Sequence, residues 1–160
     1  MGLDQFLVAK RYYSDGAMNT DKPDELDEFK KLQELAGVSK IIDAESHWRY
    51  MYLQIGVGKW RKANHVHKFF VDNVQRGEDN CGTYDVSRGD LEQLLKLCEQ
   101  VLKDPTKADE LLPRSEGCFF GSEEYDEWYF ADIDYTVDVI KRVLENCKDY
   151  VWSFEYSSSW

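Results

Sequence analysis

Hydrophobic positions change period several times along this chain. "LDQFLVAKRYY", residues 3–13, is dense in apolar and aromatic residues and predicts a first strand, not a signal peptide. After the turn-rich "SDGAMNTDKP", Pro23 opens "PDELDEFKKLQELAG". Leu26, Phe29, Leu32 and Leu35 fall on one side of this helix, acids fill its first turn and Gly37 follows its end. "HWRYMYLQIG" returns to period two. Trp48, Tyr50, Tyr52 and Gln54 alternate with Arg49, Met51, Leu53 and Ile55, a strand that Gly56 and Gly58 are expected to end.

From Lys59 the period lengthens. Trp60, Ala63, His67, Phe70 and Val74 step by three and four, which predicts a helix over 59–75 with one continuous apolar stripe. "QRGEDNCGTYD" reads as a loop, and Ser87 with Asp90 as the cap of the strongly amphipathic helix "LEQLLKLCEQVLK", which stops at Pro105. Cys98 falls on that helix's apolar face. "ADELLP" is a short helical turn and "RSEGCFFGSEEYDE" an irregular loop. A last helix covers about 126–147, with Ile133, Val137, Ile140 and Leu144 on one face, before the alternating "DYVWSFEY". This final strand is read as an edge strand, which can pair across a two-fold axis into a homodimer. The order β-α-β-α-α-α-β lacks the regular alternation of a doubly wound fold. It predicts one α+β domain over 1–160, with a small, mainly antiparallel sheet of about three aromatic-rich strands covered by about four helices.

Charge sharpens the picture. The 160 residues carry a formal net charge of -11 and 14 % aromatics. Yet residues 48–77 hold six Lys and Arg against a single acid, Asp72, while residues 78–160 hold 8 against 20. A basic island in an acidic chain argues against direct nucleic-acid binding by a broad face, because phosphate contacts rest on Lys and Arg. No apolar run is long enough for a membrane helix. The four cysteines are scattered without a C-x-x-C pair, as in a reduced, cytoplasmic protein.

Two segments carry candidate chemistry. In "GVGKWRKANHVHKFF" the glycines lead into an expected helix N-terminus, where unpaired N–H groups favour an anion. Arg61 and Lys62 add charge there, Trp60 a stacking face, and Asn64 and His65 polar selectivity. The P-loop spacing is absent. On a helix His65 and His67 point to opposite sides, so H-x-H does not form a metal site here; His65 is expected at the surface and His67 on the apolar stripe. In "LLPRSEGCFFGSEEYDEWYFADIDY", Arg114 is a candidate phosphate clamp and Phe119, Phe120 and Trp128 candidate stacking rings. No nucleophile-elbow, EF-hand, dinucleotide or zinc-deaminase pattern occurs, so no cofactor is expected.

"MGLDQFL", "KWRKANHVHKFFVDNVQ", "DLEQLLKLCEQVL" and "LLPRSEGCFFGSEEYDEWYFADIDYT" together resemble a group of small proteins of tailed phages and bacterial genomes or prophages, a group with no assigned activity. The resemblance covers the start and most of 59–140, and 13–47 match less well. It implies a phage-type accessory protein in the bacterial host cytoplasm and supplies no catalytic residues.

Three functions remain open from the sequence. The first is a non-enzymatic binder of an anionic, nucleotide-like small molecule, a sponge or sensor of a host signalling nucleotide that serves to inhibit host defence. The second is an acidic inhibitor that binds a host protein and presents carboxylates as DNA presents phosphates. The third is a small phosphoesterase or nucleotide hydrolase using a carboxylate or His67 as base.

Overall fold

The computed structural model describes residues 2–14, 23–38, 41, 49–115, 117, 120–122, 124–148 and 151–160, and of 23–25 the backbone alone. In chain order these form strand β1 (Asp4–Ser14), helix α1 (Pro23–Leu35), strand β2 (Tyr50–Arg61), helix α2 (Asn64–Asn73), strand β3 (Thr83–Val86) and helix α3 (Arg88–Lys103). A 3-10 turn (Pro105–Lys107), helix α4 (Ala108–Leu111), helix α5 (Glu127–Asn146) and strand β4 (Trp152–Ser159) follow. The strands make one antiparallel sheet in the order β2-β1-β4-β3, so the fold is α+β.

The chain divides into two compact units, residues 1–9 with 55–160, and residues 10–54. In the first, alternation decides which side of the sheet is covered. Gln5, Leu7 and Ala9 of β1 and Phe154, Tyr156 and Ser158 of β4 are buried. One core joins this face to Leu91, Leu94, Cys98 and Val101 of α3 and to Tyr129, Ile133, Ile140 and Val143 of α5. These helix positions recur at three and four residues, the spacing that keeps one face inward. Phe70 of α2 stacks on Tyr156 at 3.9 Å between ring centroids.

Both α3 and α5 begin where a polar side chain can take the first free N–H groups. Ser87 and Asp90 form a reciprocal capping box on α3, and Asp126 accepts from Trp128 N and Tyr129 N on α5. Arg88 closes the far end of α5 by donating to the carbonyls of Leu144 and Cys147 at 2.8 and 2.9 Å, a cation placed at a helix C-terminus.

In the second unit Phe29 of α1 is buried, and Arg11 pairs with Glu28 at 2.9 Å. Tyr12, Tyr50 and Tyr52 form an exposed ring cluster with centroids 5.3 to 6.0 Å apart. Trp48 and residues 15–22 lie outside the described residues.

Three expectations are corrected. First, β2 does not end at Gly56 or Gly58, and no helix starts at Lys59. The strand continues to Arg61 and α2 starts at Asn64. The reason is local packing. The Trp60 indole folds back over Gly58, where a Cβ would stand 2.6 Å from Trp60 Cη2 and 3.0 Å from Val139 Cγ1. Gly58 therefore makes room for a ring and does not break the strand. Lys62, at a φ of 62°, turns the chain into α2.

Second, the loop after α2 contains β3, which pairs with β4 in the register Tyr84↔Tyr156 and Val86↔Phe154. Four residues are too few to show a period. Third, β4 is not an edge strand. It lies between β1 and β3, with a partner on each side, which removes the reason given for pairing across a two-fold axis.

Candidate ligand-binding site

The junction between β2 and α2 decides where the basic segment goes. Trp60 takes an inward position of the strand, is 2 % exposed, donates its indole N–H to Thr136 Oγ1 at 2.9 Å and meets Tyr135 edge-on at 5.8 Å. It belongs to the core, so the expectation that it stacks on a ligand ring is corrected. Arg61 and Lys62 stay exposed.

Ala63 then starts α2 without a side-chain cap, and no acid sits in the first turn. An alanine offers no oxygen to the free N–H groups, so the positive end of this helix dipole is left without an anionic cap from its own sequence.

The loop before α5 meets that helix start. Asn64 Nδ2 donates to the carbonyl of Ser122 at 3.1 Å, and Arg114 Nη1 donates to the same carbonyl. Gly121, at a φ of 98°, fits tightly against Lys62: a Cβ there would stand 3.0 Å from Lys62 Cβ and 3.1 Å from its carbonyl oxygen. Lys62, Asn64 and Arg114 are thus brought together on the turn Gly121–Ser122, although about 50 residues of sequence lie between the first and the last.

Arg114 is held in place on several sides. Its guanidinium lies over Tyr129 at 4.9 Å and Tyr125 at 5.7 Å and pairs with Asp126 at 3.5 Å. The Asp126 carboxyl is held below the usual range by backbone N–H bonds, chiefly from Tyr129, and by Arg114. Asp132, further along α5, is pushed up to about 6 by burial, against the pull of Arg114. Two carboxyls near one arginine therefore differ in charge at mildly acid pH. Tyr125 donates to Asp109 at 2.6 Å, and Tyr129 to the carbonyl of Leu112 at 3.0 Å, which ties the loop's two ends to α4 and α5.

His65 departs from expectation. It is 1 % exposed, not at the surface, and its ring lies 4.3 Å from that of Tyr129. Burial, and then the charge of Arg114, lower its pKa to about 3, so the imidazole is neutral. Neither ring nitrogen has a partner within the described residues.

His67, on the apolar stripe as expected, uses both nitrogens. Nδ1 lies 2.8 Å from the Tyr156 hydroxyl and Nε2 3.0 Å from Asp79 Oδ2. The carboxylate can only accept, so Nε2 carries the proton and Nδ1 accepts from Tyr156. Asp79 also accepts from Trp160 Nε1 at 3.1 Å. The Tyr156 proton is then committed to His67. Its 3.3 Å contact with the Gln5 amide is satisfied when Gln5 presents its NH₂, the group otherwise left unpaired. Phe120 meets the His67 ring edge-on at 5.3 Å, which makes it a cover over this network and not a free stacking ring.

No family model, curated protein or solved structure matches this chain. The site therefore rests on geometry. Of the expected residues, Lys62, Asn64, His65 and Arg114 gather at the start of α2. Arg61 and Trp128 remain at the surface, Trp128 with 71 % exposure. Trp60 is packed inward, Phe120 is half-buried against the His67 ring, and Phe119 lies outside the described residues. Ser122, Asp126, Tyr129, Asp79 and Tyr156 were not among the expected site residues. Only Asp126 carried a signal, as a capping residue before an apolar run. The others act through partners distant in sequence.

Proposed function

We propose that this chain is a non-enzymatic binding protein for a small anionic, nucleotide-like molecule, acting as a phage-type accessory protein in a bacterial host, a sponge or sensor of a signalling nucleotide. One observation carries this reading: the uncapped start of α2 is the point where Lys62, Asn64 and Arg114 meet on one turn. A helix start with added cations favours negative charge at that point; Ala63 to Val66 are themselves buried, so a ligand would meet this end of the helix through Arg61 and Lys62, which are exposed. His67 commits both ring nitrogens internally, which supports binding over general-base chemistry.

A melting series against mono-, di- and cyclic nucleotides tests it. A ligand at about 100 times its Kd adds roughly 2.7 kcal/mol, several degrees for a chain of this size. The expected result is a shift with one nucleotide, recovery of that nucleotide intact, and loss of the shift in Arg61→Ala combined with Lys62→Gly, the glycine keeping the left-handed backbone. No shift with any nucleotide sinks the reading.

A second reading has its own support. Glu127, Asp134, Asp138 and Glu145 are all exposed on α5 at intervals of seven, four and seven residues, a row along one face of the helix. Such a row suits an acidic inhibitor that docks on a basic host protein. Its mark would be partner capture that weakens steeply between low and moderate salt and is lost on charge reversal along the row.

A further inference from the structure

Helix α5 carries a second three-four stripe besides the one it buries. Trp128, Ala131, Tyr135, Val139, Arg142 and Asn146 follow one another at three or four residues, so they share one flank of the helix. All but Val139 are exposed, Trp128 most of all. Val139 instead lines a cavity of about 220 Å³, together with Val57 of β2 and Arg142, Val143 and Asn146 of α5. Arg142 and Asn146 are exposed, so the cavity reaches the surface on this flank. A hollow of this size is smaller than a drug-sized pocket and suits a single apolar side chain.

Tyr135 is fixed before any partner arrives. Its hydroxyl accepts from the Lys59 N–H at 3.2 Å and its ring meets Trp60 edge-on at 5.8 Å, yet 39 % of the residue stays open to solvent. A ring already held in place costs little further ordering on binding. Trp and Tyr are the residue types that most often anchor protein interfaces. One exposed aromatic is ordinary, but here two of them and an apolar cavity follow one line.

The acidic row lies one residue away all along that line. Glu127 directly precedes Trp128, Asp134 precedes Tyr135, Asp138 precedes Val139 and Glu145 precedes Asn146. Each acid thus stands about 100° round the helix from a stripe position, at nearly the same height. We propose that this flank of α5 is the docking surface for a basic amphipathic helix of a partner protein. The apolar side of that helix lies on Trp128, Tyr135 and the cavity, and its Lys and Arg face the acidic row. A helix fits because Trp128, Tyr135 and Arg142 recur at seven residues, the repeat at which a second helix laid alongside presents the same face. Charge selects against a second copy of this chain, since two copies meeting on this face would set acid against acid. The inference rests on the acidic-inhibitor reading for its charge and adds the apolar half of the contact.

The test uses the full chain and two synthetic labelled peptides of about 18 residues, five helical turns. One is an amphipathic helix of Leu and Lys; the other has every Leu replaced by Gln and keeps the same charge. Fluorescence anisotropy gives the Kd of each. We expect the Leu peptide to bind about tenfold more tightly than the Gln peptide. Trp128→Ala, and Asn146→Phe, which puts a ring at the cavity from an exposed position, should each weaken the Leu peptide about tenfold with the melting midpoint near wild type and the Gln peptide unaffected. Asp134→Lys combined with Asp138→Lys should weaken both peptides. Equal binding of the two peptides, lost on that charge reversal, would overturn this inference and leave the acidic-inhibitor reading standing, as would wild-type affinity for the Leu peptide in both Trp128→Ala and Asn146→Phe. Binding of neither peptide would end both.

Discussion

His67 Nε2 stands 3.0 Å from Asp79 Oδ2, and that one contact fixes which ring nitrogen faces the core. With the proton on Nε2, Nδ1 is free to accept from Tyr156, itself fully buried. Asp79 also anchors the Trp160 indole. Asp79→Ala should cost about 1.5–3 kcal/mol, the range for hydrogen bonds to a charged group, and should shift Trp160 fluorescence. Asp79→Asn should cost less, because an amide oxygen still accepts from Nε2. Equal melting midpoints for wild type and Asp79→Ala would show that the contact adds nothing to stability.

Trp60 and Thr136 make a second test of the core. Thr136→Val preserves shape but leaves a buried indole N–H without its acceptor at 2.9 Å. The expected loss is about 1–3 kcal/mol in denaturant unfolding. Thr136→Ser, which keeps the hydroxyl, should recover most of it.

Gly121 is where the loop touches Lys62. Any side chain there meets a φ of 98° and a 3.0 Å contact at once. Gly121→Ala should lose about 1–3 kcal/mol of stability and weaken nucleotide binding, since the turn carries the carbonyl that holds Asn64 and Arg114. Unchanged binding with unchanged stability would separate this turn from the site.

His65 should make the fold sensitive to acid. Its pKa is about 3 when folded against an ordinary 6.5, so between these values the unfolded chain binds the extra proton. Stability therefore rises with pH over that window and falls as pH drops from 6.5 toward 3. The groups near it are the Arg114 guanidinium, the Tyr129 phenol and, in the lining of a cavity that His65 shares, Lys68 and Asp72. From about pH 7 to about pH 5 the loss assigned to His65 is about 2 kcal/mol. His65→Leu should flatten that part of the acid limb in unfolding measured at each pH; an unchanged slope would contradict the burial of a neutral ring.

Asp132 acts with the opposite sign. Its carboxyl titrates at about 6 in the fold against 3.8 ordinarily, so between those values the native state holds the extra proton. Its contribution to stability falls as pH rises through that window. Asp132→Asn should thus stabilise the protein at neutral pH, by about 1 kcal/mol once its partial exposure is allowed for, and leave stability near about pH 4 unchanged. A neutral-pH loss on this substitution would mean that the charged form makes a bond of its own.

What the sequence by itself determined is the set of elements with a long enough period. The inward faces of α3 and α5, the capping by Ser87, the alternation of β4 and the α+β class all follow from spacing, because helix and strand geometry repeat along the chain. The gathering of basic and polar residues near residue 62 was legible as composition. Tertiary structure decided the rest, for a single reason: the deciding partner lies far along the chain. Trp60 looked helical because it falls on a three-four step with Ala63 and His67, yet Gly58 and Thr136 fix it in a strand. β3 exists because β4 pairs with it. His65 is buried because the loop carrying Arg114 and the helix carrying Tyr129 close over the start of α2, a meeting of segments distant in sequence that no local pattern records.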